Sequence, residues 1–356
     1  MTYQQQANAL STQYGLGEDG ISIKPIGNGH INTTLLLQSG NKGIVVQKLN
    51  TQVFPDVQGL VNNARKIEAH LTEKRNNAQY NLEIIKHVES KDNQYLVDLD
   101  NECWRALEFI GGSFSEDVVE NAEQATIAAN AFGQFAAALN DFDAHQLVTV
   151  IPEFHNLAMR VSQLQDKILA DNVARLASCQ TEVDFCIAQQ SLLDELARVC
   201  PDLPLRACHN DTKINNMLFC TTTKKAKAVI DLDTCMSGYW MFDFGDMVRT
   251  FCSPEAEDST NLANVEVREE IFQAIVEGYV APLKDVLTDA ELESFWLGAK
   301  VMCFMIGVRF LTDYLDGDNY FSIKYPEHNL DRARNQFALY QSLLAKESVL
   351  KPALLK

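Results

Sequence analysis

The chain has 356 residues, 46% of them hydrophobic, and a formal net charge of −18 at pH 7. Length and composition suit one large domain or two lobes sharing a cleft, and so acidic a surface repels nucleic acid and anionic membranes, which excludes both as partners. Nine cysteines with no CxxC pair fit reduced thiols in a cytoplasm, and Met1-Thr2-Tyr3-Gln4-Gln5-Gln6 has neither the basic start nor the apolar core of a signal peptide.

The first third reads as strands and turns with one helix. Short β-prone runs at 21–26 and 33–37 flank the turn signal Gly27-Asn28-Gly29-His30, and a third strand follows at 43–49. Residues 60–75 carry Leu60, Ala64, Ile67 and Leu71 at helical spacing. Further strands are predicted near 82–88, 94–98 and 104–110, the last ending at Gly111-Gly112. The pattern then turns helical. Residues 116–140 place Ala125, Ala128, Phe132, Phe135 and Leu139 on one face, and helices also fit 156–177, 181–199, 262–280, 289–315 and 329–346. The apolar stretch 295–311 contains Lys300 and Arg309 and reads as a buried helix rather than a membrane span. The resulting expectation is an α+β chain of two lobes: residues 1–111 β-rich and nucleotide-binding, residues 112–356 mainly helical, catalytic and acceptor-binding.

One β-rich interlude breaks the helical lobe. Met217-Leu218-Phe219, a polar turn at 221–227 and Ala228-Val229-Ile230 predict a hairpin, which brings its two ends side by side. Asp211 and Asn216 precede its first strand and Asp231 closes its second. Phosphoryl transfer needs a carboxylate near the attacking hydroxyl and hard oxygen ligands for magnesium. Asp211 suits the first role, as catalytic base. The Asn216 amide oxygen and the Asp231 carboxylate suit the second.

The run His209-Asn210-Asp211-Thr212-Lys213-Ile214-Asn215-Asn216, followed by Ile230-Asp231, resembles the catalytic signature of the aminoglycoside phosphotransferase and choline kinase superfamily. With Asp231-Leu232-Asp233-Thr234, Tyr239 to Asp246, Ile151-Pro152-Glu153-Phe154-His155 and Arg309 to Leu315, it is similar to the N-acetylhexosamine 1-kinase branch. The resemblance implies a protein-kinase-like fold with a small β-rich N-terminal lobe and a larger helical C-terminal lobe. It also implies ATP and Mg2+ as cofactors, and a small-molecule sugar phosphorylated at its anomeric hydroxyl. Gly27, Asn28 and Gly29 resemble the loop that covers the nucleotide, where glycines let N–H groups approach phosphates.

The phosphate-binding lysine of such a fold belongs on the third strand. Lys48 is the cation there, held by Glu68, with Gln47 as the alternative alignment. Glu108 and Ile110 bound the connector that pairs with adenine, and His30, Arg309 and Tyr320 are the implied sugar contacts. Arg309 lies in an apolar helix, so it needs a carboxylate or a ligand. Asp233 shares a strand face with Asp231 and suits a second metal, the sugar or supporting hydrogen bonds. Asp243-Phe244-Gly245 spells the metal-binding triplet of protein kinases but lies beyond the hairpin, so Asp243 reads as a brace for the catalytic loop or a helix cap. His209 reads as packing and orienting that loop. Two alternatives remain open: a kinase of another small hydroxyl acceptor (a different sugar, an aminoglycoside or an amino alcohol), or a non-catalytic nucleotide-binding module. The oligomeric state is open too.

Overall fold

A computed structural model describes residues 3–16, 21–27 and 32–355. Helix α1 (Tyr3–Gln13), which the sequence reading does not anticipate, lies on the outer face of the first sheet. That sheet holds β1 (Ser22–Pro25), β2 (Thr33–Ser39), β3 (Lys42–Lys48), then, after α2 (Val57–Asn76) and the short β4 (Glu83–Ile84), β5 (His87–Val88), β6 (Leu96–Leu99) and β7 (Glu102–Glu108). The order is β1-β2-β3-β7-β5, with β6 also on β7, and every pairing is antiparallel.

Strand alternation sorts this sheet into two faces. Ile44 and Val46 of β3, with Trp104 and Ala106 of β7, are buried beneath Ala7 and Leu10 of α1. The residues between them, Val45, Gln47, Arg105 and Leu107, line the opposite face and look into the interlobe cleft.

A second sheet joins the lobes. Its order is β4-β11-β10-β8, with β8 (Ser113–Phe114), β10 (Met217–Cys220) and β11 (Ala226–Val229); the β10–β11 pair is the expected hairpin, and β4 joins it in parallel. Between them in sequence lie α3 (Ala122–Ala138), α4 (Leu157–Ala170), α5 (Gln180–Ile187), α6 (Gln190–Val199) and β9 (Arg206–Cys208), and β9 pairs with β12 (Met236–Gly238). The chain then runs through α7 (Trp240–Phe251), α8 (Glu269–Leu283), α9 (Asp289–Leu315), α10 (His328–Ala345) and α11 (Glu347–Ala353). The single helix expected at 181–199 is two, broken at Ala188 and Gln189, and the one expected from 262 starts at Glu269.

Helix α9 is apolar around most of its circumference because it is surrounded by protein. It packs on α4, α6, α7 and α10. By length and composition it is the one helix among the described residues that could cross a membrane, but 78% of its most apolar stretch is buried inside the protein. A capping box of Thr288 and Glu291 starts it. Its approach to α7 needs glycine on both sides: a Cβ on Gly298 would stand 2.0 Å from the Met241 carbonyl oxygen, and one on Gly245 would stand 2.3 Å from the Gly298 carbonyl oxygen.

Candidate active site

The catalytic loop leaves β9 and turns at Asn210, whose φ is +65°. Asparagine tolerates that left-handed backbone better than most residues, and its side-chain amide donates to the Thr234 carbonyl at 2.9 Å. The buried Asp243 carboxylate accepts the backbone N–H groups of His209 at 3.0 Å and Asn210 at 2.7 Å, while Thr212 Oγ1 donates to the Asp243 carbonyl at 2.6 Å. Burial pushes the Asp243 carboxyl up to about 7, against the two N–H donors that favour its charge. Asp243 stands within the first turn of α7 and braces the loop; Tyr239 is the cap residue. The glycine of the kinase-like triplet serves the α7–α9 crossing.

His209 is wholly buried, edge-on to Phe132 and Phe135. Burial lowers its pKa and keeps it neutral. Nδ1 accepts the Asp211 N–H at 3.3 Å and Nε2 donates to the Ile230 carbonyl at 3.0 Å. The histidine therefore ties the loop to the end of β11.

Asp211 faces two donors. Lys213 Nζ lies 3.1 Å from Oδ1, and Asn216 Nδ2 lies 2.9 Å from Oδ2. Burial opposes its ionisation, but Lys213, His209 and these hydrogen bonds outweigh it and hold the carboxyl below the ordinary range. The Asn216 amide is oriented by two bonds to Asp211, to Oδ2 and to the carbonyl at 2.8 Å, which turns its Oδ1 away from them. Asp231 ends the hairpin with φ +61°. The cleft walls withdraw solvent from it, and Asp233 and Asp211 add negative charge, so its carboxyl rises to about 7. A carboxylate crowded by others fits a cation, and the Asn216 Oδ1 and Asp231 oxygens are donors of the hard kind magnesium takes. Among the described residues no three His, Cys, Asp or Glu form a complete metal cage, so such an ion would draw further ligands from phosphate and water.

Above this floor opens a cleft of about 600 Å³, lined by Gly27, Glu108 and Ile110 as the sequence predicts, with Gln47, Arg105, Asp231 and Asp233 at its polar end. Asn28, Gly29 and His30 lie outside the described residues. Two expectations are corrected. Lys48 does not enter the cleft: it shares the α1 face of β3, and its Nζ binds Glu102 at 2.9 Å. Glu68 does not hold Lys48; its carboxylate accepts the His87 N–H at 3.1 Å and meets His87 Nδ1 at 3.3 Å. Strand parity makes Gln47 the residue that faces inward. The cation on that wall is Arg105, whose Nη2 lies 2.5 Å from Asp233 Oδ1. Asp233 is thus engaged by Arg105 and by Asn32 Nδ2 at 2.8 Å, the supporting-bond alternative, and it does not line the Arg309 pocket.

Arg309 and Tyr320 do come together, in a separate pocket of about 390 Å³ that Arg160 also lines. Arg309 Nη2 lies 3.5 Å from Tyr320 Oη, and its guanidinium stands 5.4 to 5.6 Å from the rings of Phe154, Tyr320 and Phe321. No carboxylate pairs with it among the described residues. Asp313 anchors the Tyr320 loop by accepting the N–H groups of Tyr320 at 2.8 Å and Phe321 at 2.9 Å. His155 stacks on Phe154 and against Phe242. Burial, then Arg309 and Arg160, push its pKa down to about 3 against the pull of Asp211.

Sequence reasoning missed Arg105 and Lys213. Lys213 was visible, two residues after Asp211 in the quoted run. Arg105 was legible only through the pairing of β3 with β7, which sets it opposite Gln47.

Comparison with known proteins agrees with this geometry. The family model described as the phosphotransferase enzyme family (APH) matches residues 22–275. The chain belongs to that family. Its fold is similar to that of a microcompartment-associated aminopropanol kinase (TM-score 0.60, 14% identity, 99% of each chain covered). An aminoglycoside phosphotransferase from Alicyclobacillus acidocaldarius is also similar (TM-score 0.61, 12% identity, 94% of this chain and 93% of that one). So is a choline kinase from Cryptosporidium parvum (TM-score 0.56, 14% identity, 99% of each). The mixed α+β, two-lobed kinase-like fold expected from the sequence is the fold of these structural neighbours.

Proposed function

We propose that the chain transfers the γ-phosphate of ATP to the anomeric hydroxyl of an N-acetylhexosamine. The observation that carries the transfer is the floor of the cleft, where an ionised Asp211 meets Lys213 and Asn216 within hydrogen-bonding reach and Asp231 stands at the adjoining hairpin end. Asp211 orients the acceptor hydroxyl and takes its proton as the new ester forms. Lys213 keeps Asp211 ionised and adds positive charge beside the transferring group. Asn216 and Asp231 hold Mg2+, which, when bound, neutralises charge on the phosphates.

Arg309, Tyr320 and His30 supply the acceptor contacts in this reading. Arg309 is a cation without a carboxylate partner among the described residues, and beside Arg160 it disfavours a cationic acceptor on its side of a pocket that Asp166, Asp313 and Asp316 also line. Its donors suit ring hydroxyls and an acetamide oxygen. Proteins of similar fold include an aminopropanol kinase and a choline kinase, so amino alcohols and aminoglycosides are the competing acceptor class. An ADP-release assay over N-acetylglucosamine, N-acetylgalactosamine, choline, aminopropanol and kanamycin separates the two. Turnover confined to the N-acetylated sugars is expected; turnover confined to the amines would overturn the acceptor assignment.

A further inference from the structure

The interlobe cleft is lined by no lysine of β3. Among the described residues its lining holds Lys24, exposed on the edge strand β1 opposite Leu36, and Arg105, 2% exposed on the inner wall beside Asp231 and Asp233. The Arg105 guanidinium is clamped from one side. Nε donates to Gln47 Oε1 at 2.9 Å, and Nη2 donates to the same oxygen at 2.7 Å and reaches Asp233 Oδ1 at 2.5 Å. Gln47 is itself set by a 3.2 Å bond from its Nε2 to Thr34 Oγ1. Asp233 is set by Asn32, whose own Oδ1 accepts the Asn50 N–H at 2.9 Å.

Nη1 of Arg105 makes no hydrogen bond with a described residue. His87, another cleft-lining side chain, is 3% exposed and holds its Nδ1 toward Glu68, while its buried Nε2 has no hydrogen-bond partner among the described residues. A buried ion pair that served stability alone would gain from complete satisfaction, because desolvating two charges costs several kcal/mol per ion. This one leaves a planar, permanently charged fork incompletely bonded in a cavity that ends at a carboxylate suited to a metal.

We propose that Arg105, oriented by Gln47 and Asp233, is the site that takes the phosphates of the nucleotide, in place of a lysine on β3. The inference rests on the nucleotide reading above. A guanidinium offers paired donors to phosphate oxygens where an ammonium offers a point charge. The Asn32–Asp233–Arg105 chain also joins the residue before β2 to the same wall.

The test compares affinities for ATP and adenosine, both with magnesium, by titration calorimetry on the full chain. Adenosine reports the base and ribose contacts alone. Wild-type protein is expected to prefer ATP, and Arg105→Gln is expected to lose about 10- to 100-fold of that preference with adenosine affinity unmoved. Arg105→Gln leaves Asp233 unpaired, so the double variant R105Q/D233N removes both charges and keeps the fold testable; it is expected to show the same loss. Lys48→Gln is expected to keep the wild-type ratio. Retention of that ratio by both Arg105 variants would overturn the phosphate site while leaving nucleotide binding intact. Equal wild-type affinity for ATP and adenosine would instead overturn the nucleotide reading, and the site with it.

Discussion

At the scale of single residues, the active centre is a contest between burial and charge, and the winner differs from one carboxyl to the next. Asp211 is held ionised by Lys213 and Asn216, whereas Asp231, buried and crowded by Asp233 and Asp211, is pushed up to about 7. Replacing Asp211 with Asn keeps the size and removes the base. Turnover should fall by about 10²–10⁴-fold with ATP affinity little changed, as single-turnover kinetics and calorimetry would show; near-normal turnover would end the assignment. Asp231→Ala and Asp243→Ala should part company. The first should abolish magnesium-dependent rate at nearly constant melting temperature. The second strands two buried N–H groups, each costing about 1–3 kcal/mol, and should chiefly lower the melting temperature; the reverse pattern would refute the hairpin assignment. Asp211, Asn216 and Asp231 were legible because their spacing around a hairpin is itself a geometric statement. Lys48 was misplaced because one residue of strand parity separates it from Gln47, and the sequence of β3 alone does not say which face α1 covers.

At the scale of elements, the hairpin and α9 were readable from their apolar patterns, α9 to the residue at both ends. The break between α5 and α6 and the helix α1 were not, because the first is a change in packing direction without a proline or glycine to mark it and the second is a weakly patterned, glutamine-rich segment ordered by the sheet beneath it. Helix α7 hides within a loop-like motif. Its role follows from the α7–α9 crossing, which holds Asp243 under the catalytic loop. Gly298→Ala would drive a methyl against the Met241 carbonyl. Overpacking of this kind costs about 1–3 kcal/mol, and displacement of α7 should reduce turnover together with stability, measured by melting temperature and rate in the same preparation. A variant as stable and active as wild type would show that the crossing does not position the loop.

At the scale of the whole molecule, two lobes meet so that the first sheet, the hairpin and the loop before it each contribute residues to one cleft. The acidic surface gives no hint of this, since against a net charge of −18 the described lining of the cleft sets the cations Arg105 and Lys24. Distant exposed charges are screened within about 8–10 Å at ordinary salt, so these local cations govern what binds. The pocket of Arg309 and Tyr320 shares no described lining residue with the interlobe cleft. The measurement that tests the account most directly is phosphorus NMR of the product formed from ATP, magnesium and N-acetylglucosamine or N-acetylgalactosamine, run beside the Asp211→Asn protein. A sugar 1-phosphate formed by the wild type and absent with the variant is the predicted result. A 6-phosphate, or equal product from both proteins, would contradict it.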